Sequence, residues 1–291
     1  PHAGSVTLPP AVRRALARVI VPEASLAVRV QALPGMVLPT DEKKGVVFSG
    51  ATLPAPRLSW QGDVAMNPAS VMKTVTTALA LQNLGADFQW YTTVWIDGAL
   101  RAGVLYGNVV VQGGGDPYLP TARLQELVAA IQAKGIQQIQ GDILVNQSLW
   151  HLRPTDPGAF DGKPDRPYNA APAAFMPNMQ ALEVRLQPDG AVAKVSIDPP
   201  LAAWGYAASL PLSAAPCVQP EVALAPDWSA HQQLRFNGAW PRSCGARSVF
   251  FTPYPPAPDF AAQALAGVWQ ASGAVWSGQA RLAPRGHRGA R

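Results

Sequence analysis

Two cysteines in 291 residues, Cys217 and Cys244, are too few for a metal–thiolate cluster, and their separation fits no Cys-x-x-Cys redox pair. They stand 27 positions apart, and a single disulfide and two unpaired buried thiols remain equally open readings. Histidine is scarce too. His2, His151, His231 and His287 are scattered without paired spacing, so no metal is expected. Charged residues make up only 14%, against 48% hydrophobic ones, a balance that excludes a disordered chain. The net charge is +5, but no basic patch interleaved with aromatics occurs, so no nucleic-acid partner is expected. No apolar run reaches the length of a transmembrane segment, and Pro1 is not followed by a cationic-then-apolar leader. There is no Gly-x-Ser-x-Gly elbow, which removes the usual α/β-hydrolase signature. Gly113-Gly114-Gly115 follows a strand-like run but lacks the Lys-Ser/Thr of a phosphate loop, and Pro117 follows where a helix would begin.

What the chain has in plenty is proline and glycine, 30 and 25 residues, which predicts many turns and a strand-rich body. Helical patterns run from Ala11 to Ile20, from Val71 to Leu84, from Thr121 to Lys134 with Thr121 as cap, and from Asp259 to Ser272. Strand-like runs are Ser25 to Val30, paired with Gly45 to Phe48, then Trp90 to Asp97 with a turn at Gly98, and Gly103 to Gln112 with a kink at Tyr106-Gly107-Asn108. Further strands are expected at Ile139 to Val145, Leu182 to Leu186, Val192 to Ile197, Gln233 to Phe236 and Val249 to Thr252. The basic stretch from Arg281 to Arg291 reads as a frayed tail.

The stretch that carries chemistry is Asn67-Pro68-Ala69-Ser70-Val71-Met72-Lys73. Asn67 offers an acceptor to an orphan amide, Pro68 suits a helix start, and Gly85 stops the helix. Residues three apart on a helix share a face, so Lys73 reaches Ser70. A neutral lysine amine can take the hydroxyl proton and leave a serine nucleophile for a carbonyl, in the positive field of a helix N-terminus. The pair alone is common by chance. Its flanks Val71, Met72, Val75, Ala78 and Leu79 are apolar or small, which predicts that this turn is buried.

Ser-x-x-Lys is a motif of penicillin-binding proteins and β-lactamases. The order of the pieces resembles the D-alanyl-D-alanine carboxypeptidase/endopeptidase family, peptidase S13, the class C low-molecular-mass penicillin-binding proteins. The resemblance rests on the Ser70–Lys73 stretch, Phe88-Gln89-Trp90-Tyr91-Thr92-Thr93, Gly103 to Asn108 running on to Gly113-Gly114-Gly115-Asp116-Pro117, Gly135-Ile136, Ile139 to Ile143, and Tyr168-Asn169-Ala170-Ala171-Pro172.

The resemblance implies an α/β (α+β) multidomain fold. Residues 1–89 would be the N-terminal part of a transpeptidase-like domain, 90–272 a strand-rich insertion of two small domains, and 273–291 the start of the return, ending in a truncated basic tail. It implies Ser70 as nucleophile and Lys73 as general base, acting on D-Ala-D-Ala ends of peptidoglycan peptides, with β-lactams as substrate mimics and no cofactor. Asp116 would meet the cationic amine of a diamino-acid side chain, although a turn-capping role is the stronger expectation for that carboxylate. It also implies export to the periplasm with a leader absent from this chain, and therefore a Cys217–Cys244 disulfide.

One departure bears on activity. Neither Ser-x-Asn nor Lys-Thr-Gly follows Lys73, so the chain reads as truncated before those motifs. Poor acylation of Ser70 is then expected, and a catalytically inactive remnant whose insertion binds peptidoglycan or a protein is the rival reading. Loss of cover over the Ser70 helix would expose Val71, Met72, Val75, Leu79 and Leu84 and favour self-association.

Overall fold

The computed structural model describes residues 7–31, 55–230 and 232–284. It divides into two compact units, residues 1–89 and 90–291.

In the first unit, α1 (Pro10–Arg18) starts on a proline, whose missing amide costs nothing at a helix start. A three-residue strand, β1 (Val28–Val30), pairs antiparallel with β2 (Leu58–Trp60) in the register Val28↔Trp60. The partner expected at Gly45 to Phe48 lies outside the described residues. A 3-10 turn over Ala69–Val71 leads into α2 (Met72–Leu84), which stops at Gly85 with φ of 84°.

The second unit begins with β3 (Thr93–Arg101) and β4 (Val104–Gln112), joined by a turn at Ala102-Gly103. Then come α3 (Thr121–Ala133), β5 (Gln138–Gln140) and β6 (Ile143–Asn146). The middle of the unit is built from β7 (Leu182–Asp189), β8 (Val192–Asp198), β9 (Gly205–Tyr206), β10 (Ser209–Ser213), the one-turn α4 (Pro220–Leu224), β11 (Pro226–Asp227), β12 (Gln233–Phe236), β13 (Trp240–Pro241) and β14 (Arg247–Phe251). Last are α5 (Phe260–Ala271), β15 (Val275–Ser277) and β16 (Ala280–Leu282).

These strands make three sheets. In the first, β3 pairs antiparallel with β4, and β4 pairs in parallel with β5 at one end and β6 at the other. β15 and β16 extend β5 and β6, also in parallel. Residues 275–282 therefore complete this sheet. A parallel partner hundreds of atoms away along the chain leaves no local signature. The second sheet has the order β13-β10-β8-β7-β14, and the third β11-β12-β9. One apolar core joins them. α5 is apolar all round and buried from Phe260 to Trp269, as expected for a helix enclosed on every side. Its one polar side chain in that run, Gln263, is fully employed: Oε1 accepts the Ala203 amide at 3.0 Å and Nε2 donates to the Ala280 carbonyl at 2.9 Å.

The first sheet is creased along a row of glycines. Gly98 does not turn the chain; it sits inside β3 opposite Gly107 of β4. Tyr106-Gly107-Asn108 likewise stays within β4. A Cβ on Gly107 would stand 2.0 Å from the Asp97 carbonyl oxygen, and one on Gly141 would stand 2.2 Å from the Gly107 oxygen. One on Gly278 would stand 2.0 Å from the Gly141 oxygen. The expected single strand from Ile139 to Val145 is thus two, parted at Gly141-Asp142. Asn108 spans the crease, its Oδ1 accepting the Asp142 amide at 2.7 Å, while the Asp142 carboxylate pairs with Arg281. Thr121 is not the cap of α3. Pro120 takes that position, and the buried Thr121 Oγ1 has no partner among the described residues.

Candidate active site

Ser70 lies in the 3-10 turn and Lys73 in the first turn of α2, so their side chains meet at helical spacing. Lys73 Nζ donates to Ser70 Oγ at 2.8 Å. Asn67 acts as the sequence leads one to expect: its Oδ1 accepts the Ala69 amide at 2.9 Å and organises the turn before the serine. The expected burial is not found. Ser70 and Lys73 are exposed, and so are Val71, at 70% of full exposure, and the whole of α2, with Val75 at 52%. Apolar flanks make burial favourable, but they say nothing of where the cover comes from. Among the described residues none supplies it.

Asp116 belongs to the second unit, in the loop that leaves β4. Three glycines precede it because each is pressed against something different. A Cβ on Gly113 would stand 2.2 Å from the Ala174 carbonyl, and one on Gly114 would stand 2.0 Å from the Tyr91 oxygen. The amides are also in use. Gly113 N donates to the Asn146 carbonyl and Gly115 N to that of Ala174, so this run does not cradle a phosphate. Asp116 is half-buried and its Oδ1 accepts the Tyr118 amide at 2.9 Å, the turn-capping geometry. The other carboxylate oxygen has no hydrogen bond within the described residues.

Cys217 and Cys244 are joined, with 5.0 Å between their Cα atoms, and tie the segment after β10 to the turn after β13. No group of three or more His, Cys, Asp or Glu side chains that could hold a metal occurs among the described residues. Nor is any helix among them long and apolar enough to cross a membrane.

Two polar clusters were not foreseen. In the loop after β6, Asp161 accepts the Tyr168 hydroxyl at 2.7 Å and the Asn169 amide at 2.8 Å. The Tyr168 hydrogen bond is the main cause of an Asp161 carboxyl below its ordinary range, and the same bond raises the Tyr168 phenol. The signal was the Tyr168-Asn169 pair itself, read only as part of a resembling stretch. On the second sheet, Glu183 receives Arg185 in a two-point pair and the Ser248 hydroxyl at 2.6 Å. Arg185 is the chief cause of its lowered carboxyl.

Residues 36–289 match the model of the D-Ala-D-Ala carboxypeptidase 3 (S13) family. A D-alanyl-D-alanine carboxypeptidase, DacB, of Haemophilus influenzae is 30% identical over 115 residues, 40% of this chain and 24% of that protein. A D-alanyl-D-alanine carboxypeptidase of an Actinomadura strain is 30% identical over 174 residues, 59% of this chain and 30% of that protein. The chain thus spans less than a third of the length of these curated relatives. In fold it is similar to the crystal structure of penicillin binding protein 4 of Haemophilus influenzae, with a TM-score of 0.60 at 22% identity over 81% of this chain and 52% of that one. The same protein in complex with a β-lactam gives 0.52 at 21% identity.

Proposed function

Because the chain belongs to the D-Ala-D-Ala carboxypeptidase S13 family, we propose that its α2 helix supplies the nucleophile and base of a serine D-Ala-D-Ala carboxypeptidase or endopeptidase of the periplasm. The observation that carries this is the 2.8 Å contact between Lys73 Nζ and Ser70 Oγ. In the neutral state Lys73 takes the Ser70 proton as Oγ attacks the carbonyl of the penultimate D-Ala. The tetrahedral intermediate collapses with protonation of the departing amine, which leaves as D-alanine or the cross-linked D-amino acid. Water, deprotonated in turn, then frees the acyl group and restores Ser70. A β-lactam carbonyl enters the same route and its acyl group stays on Ser70, which accords with the β-lactam complex of the Haemophilus influenzae protein. Asp116, with one oxygen spent on its turn and the other unspent, meets the cationic amine of a diamino-acid side chain in the stem peptide.

The rate carries a condition. Acyl transfer needs donors set at the developing oxyanion, and one missing donor costs about 10²–10³ in rate. These 291 residues hold no Lys-Thr-Gly, the family's strand that carries one. The test is incubation with a fluorescent penicillin followed by intact mass and peptide mapping. A slowly formed adduct confined to Ser70 and lost in Ser70→Ala is expected. No adduct at saturating drug, or one indifferent to Ser70→Ala, would overturn the assignment.

One observation favours a second reading, association through α2. Its exposed Val71, Met72, Val75, Leu79 and Leu84 form an apolar surface on a helix that also carries the nucleophile. Sedimentation velocity over a concentration series checks it: a monomer throughout, with Val75→Glu behaving identically, would remove self-association.

A further inference from the structure

α1 ends where glycine is the ordinary choice, and the chain places isoleucine there. Val21 N donates to the Leu16 carbonyl at 3.1 Å, the closing bond of a helix cap whose middle residue takes positive φ. That residue is Ile20, at φ of 55°. A β-branched side chain held in this region is strained, and Ile20 recovers almost nothing by packing, since it is 90% exposed. Val19 and Val21 on either side are exposed as well. The tip is nevertheless anchored. Gln61 Nε2, just past β2, donates to the carbonyls of Glu23 at 3.0 Å and Leu26 at 3.2 Å and so holds the segment that follows the tip. The surroundings are cationic: residues 7–31 contain Arg13, Arg14, Arg18 and Arg29 against the single carboxylate of Glu23. Arg13 faces Glu23 at 3.5 Å. Arg14 and Arg18, one turn apart on α1 and both exposed, have no ion pair among the described residues.

We propose that this tip seats the protein on a bilayer rich in anionic lipid, with Val19, Ile20 and Val21 in the interfacial region and Arg14 and Arg18 on the headgroups. Apolar side chains bordered by unpaired arginines have the composition that a charged membrane surface takes up. Burial in the acyl boundary offsets the strain that solvent leaves uncompensated at Ile20. The rival occupants fit less well. A nucleic acid offers phosphates to the arginines but no apolar phase to Ile20. A folded protein needs a pocket shaped to a projecting side chain, whereas lipid conforms to it. The contact is peripheral, because no helix among the described residues is long and apolar enough to cross a membrane. It stands apart from the catalytic assignment, since it uses neither Ser70 nor Lys73.

The test is cosedimentation of the full chain with vesicles, at protein concentrations where it is a monomer. Saturable binding is expected to vesicles of equal parts phosphatidylglycerol and phosphatidylcholine, with far less to phosphatidylcholine alone and a decline as salt rises. Ile20→Gly is the decisive variant. Glycine adopts the cap conformation without strain, so the melting temperature should hold or rise while binding falls about tenfold. Ile20→Asn, which also tolerates positive φ, should lose binding to the same degree. Arg14→Gln and Arg18→Gln should each weaken binding to the anionic vesicles about fivefold and leave the residual binding to phosphatidylcholine unchanged. Val75→Glu, on the exposed face of α2, should bind as the parent does. No cosedimentation at about 1 mM lipid, or binding indifferent to Ile20→Gly and Ile20→Asn, would overturn the proposal. So would binding abolished by Val75→Glu, which would give the membrane to α2, or a dimer that Ile20→Gly dissociates, which would give the tip to a second copy.

Discussion

Lys73 holds Ser70 by a 2.8 Å hydrogen bond on a helix that is open to solvent along its whole length. Positioning is therefore set locally, by three-residue spacing and the Asn67 turn, while the dry, low-dielectric surroundings that sharpen electrostatic catalysis are not. The two requirements of the site are separable, and the first is met within seven residues.

Exposure of this kind has a protease-readable outcome. Residues 62–91 are exposed without interruption, whereas the second unit keeps one continuous core. Limited proteolysis should cut first between residues 62 and 91 and leave a resistant fragment that begins near Trp90. Mass spectrometry of the early fragments checks this; a first cut inside β4 or α5 would contradict it.

Asp116 has a structural duty and a proposed binding one, and two substitutions divide them. Asp116→Asn keeps the acceptor for the Tyr118 amide and removes the charge. It should leave the melting temperature unchanged and weaken any peptide that carries a free diamino-acid amine. Asp116→Ala removes both and should also cost about 1 kcal/mol. Thermal melts beside peptide titrations distinguish the two.

The Asp161–Tyr168 bond makes stability pH-dependent at both ends. A depressed carboxyl contributes stability that is present above its ordinary value and lost as pH falls through the lowered one. A raised phenol contributes stability that is present below its ordinary value and lost as pH climbs through the raised one. The bond is therefore intact across the neutral range. Carboxyl ¹³C titration should show Asp161 low in the parent and higher in Tyr168→Phe, since the first cause of its shift is then gone.

The disulfide closes a loop of 27 residues, for which the chain-entropy model gives about 3 kcal/mol. Thiol titration of the denatured, unreduced chain should find none free. Cys217→Ala with Cys244→Ala should lower stability by roughly that amount in urea titration.

The sequence was most legible where structure is local. The helices at α2, α3 and α5 stand within a few residues of their apolar periodicity, and Gly85, Gly135 and Gly273 end them with positive φ. It was least legible where two distant segments decide the matter. β9, β11 and β13 are two residues each and exist only through their partners. β15 and β16 were not foreseen because parallel pairing with β5 and β6 has no turn to announce it. Ser70 and Lys73 were readable because helical spacing brings them together. The Trp204–Trp228 ring contact was not, since the two are 24 positions apart with three strands and a helix between them. Burial of the Ser70 turn was read from its apolar flanks, which record what a helix favours and not what surrounds it, whereas the exposure of Val71, Met72, Val75, Leu79 and Leu84 had been expected.

The crease in the first sheet constrains how this protein can change. Each of Gly107, Gly141 and Gly278 has the backbone of the preceding strand where a side chain would stand. A methyl group introduced at one of them cannot be accommodated by trimming a side chain, because the obstacle is a backbone carbonyl. Relief would require the strands to part, and with them the ladder that seats β16 and α5. Sequence drift along this line is thus blocked in every single step. A saturation survey of the four positions, Gly98 included, should recover glycine at each of them while Tyr106, exposed beside Gly107 in β4, accepts many residues.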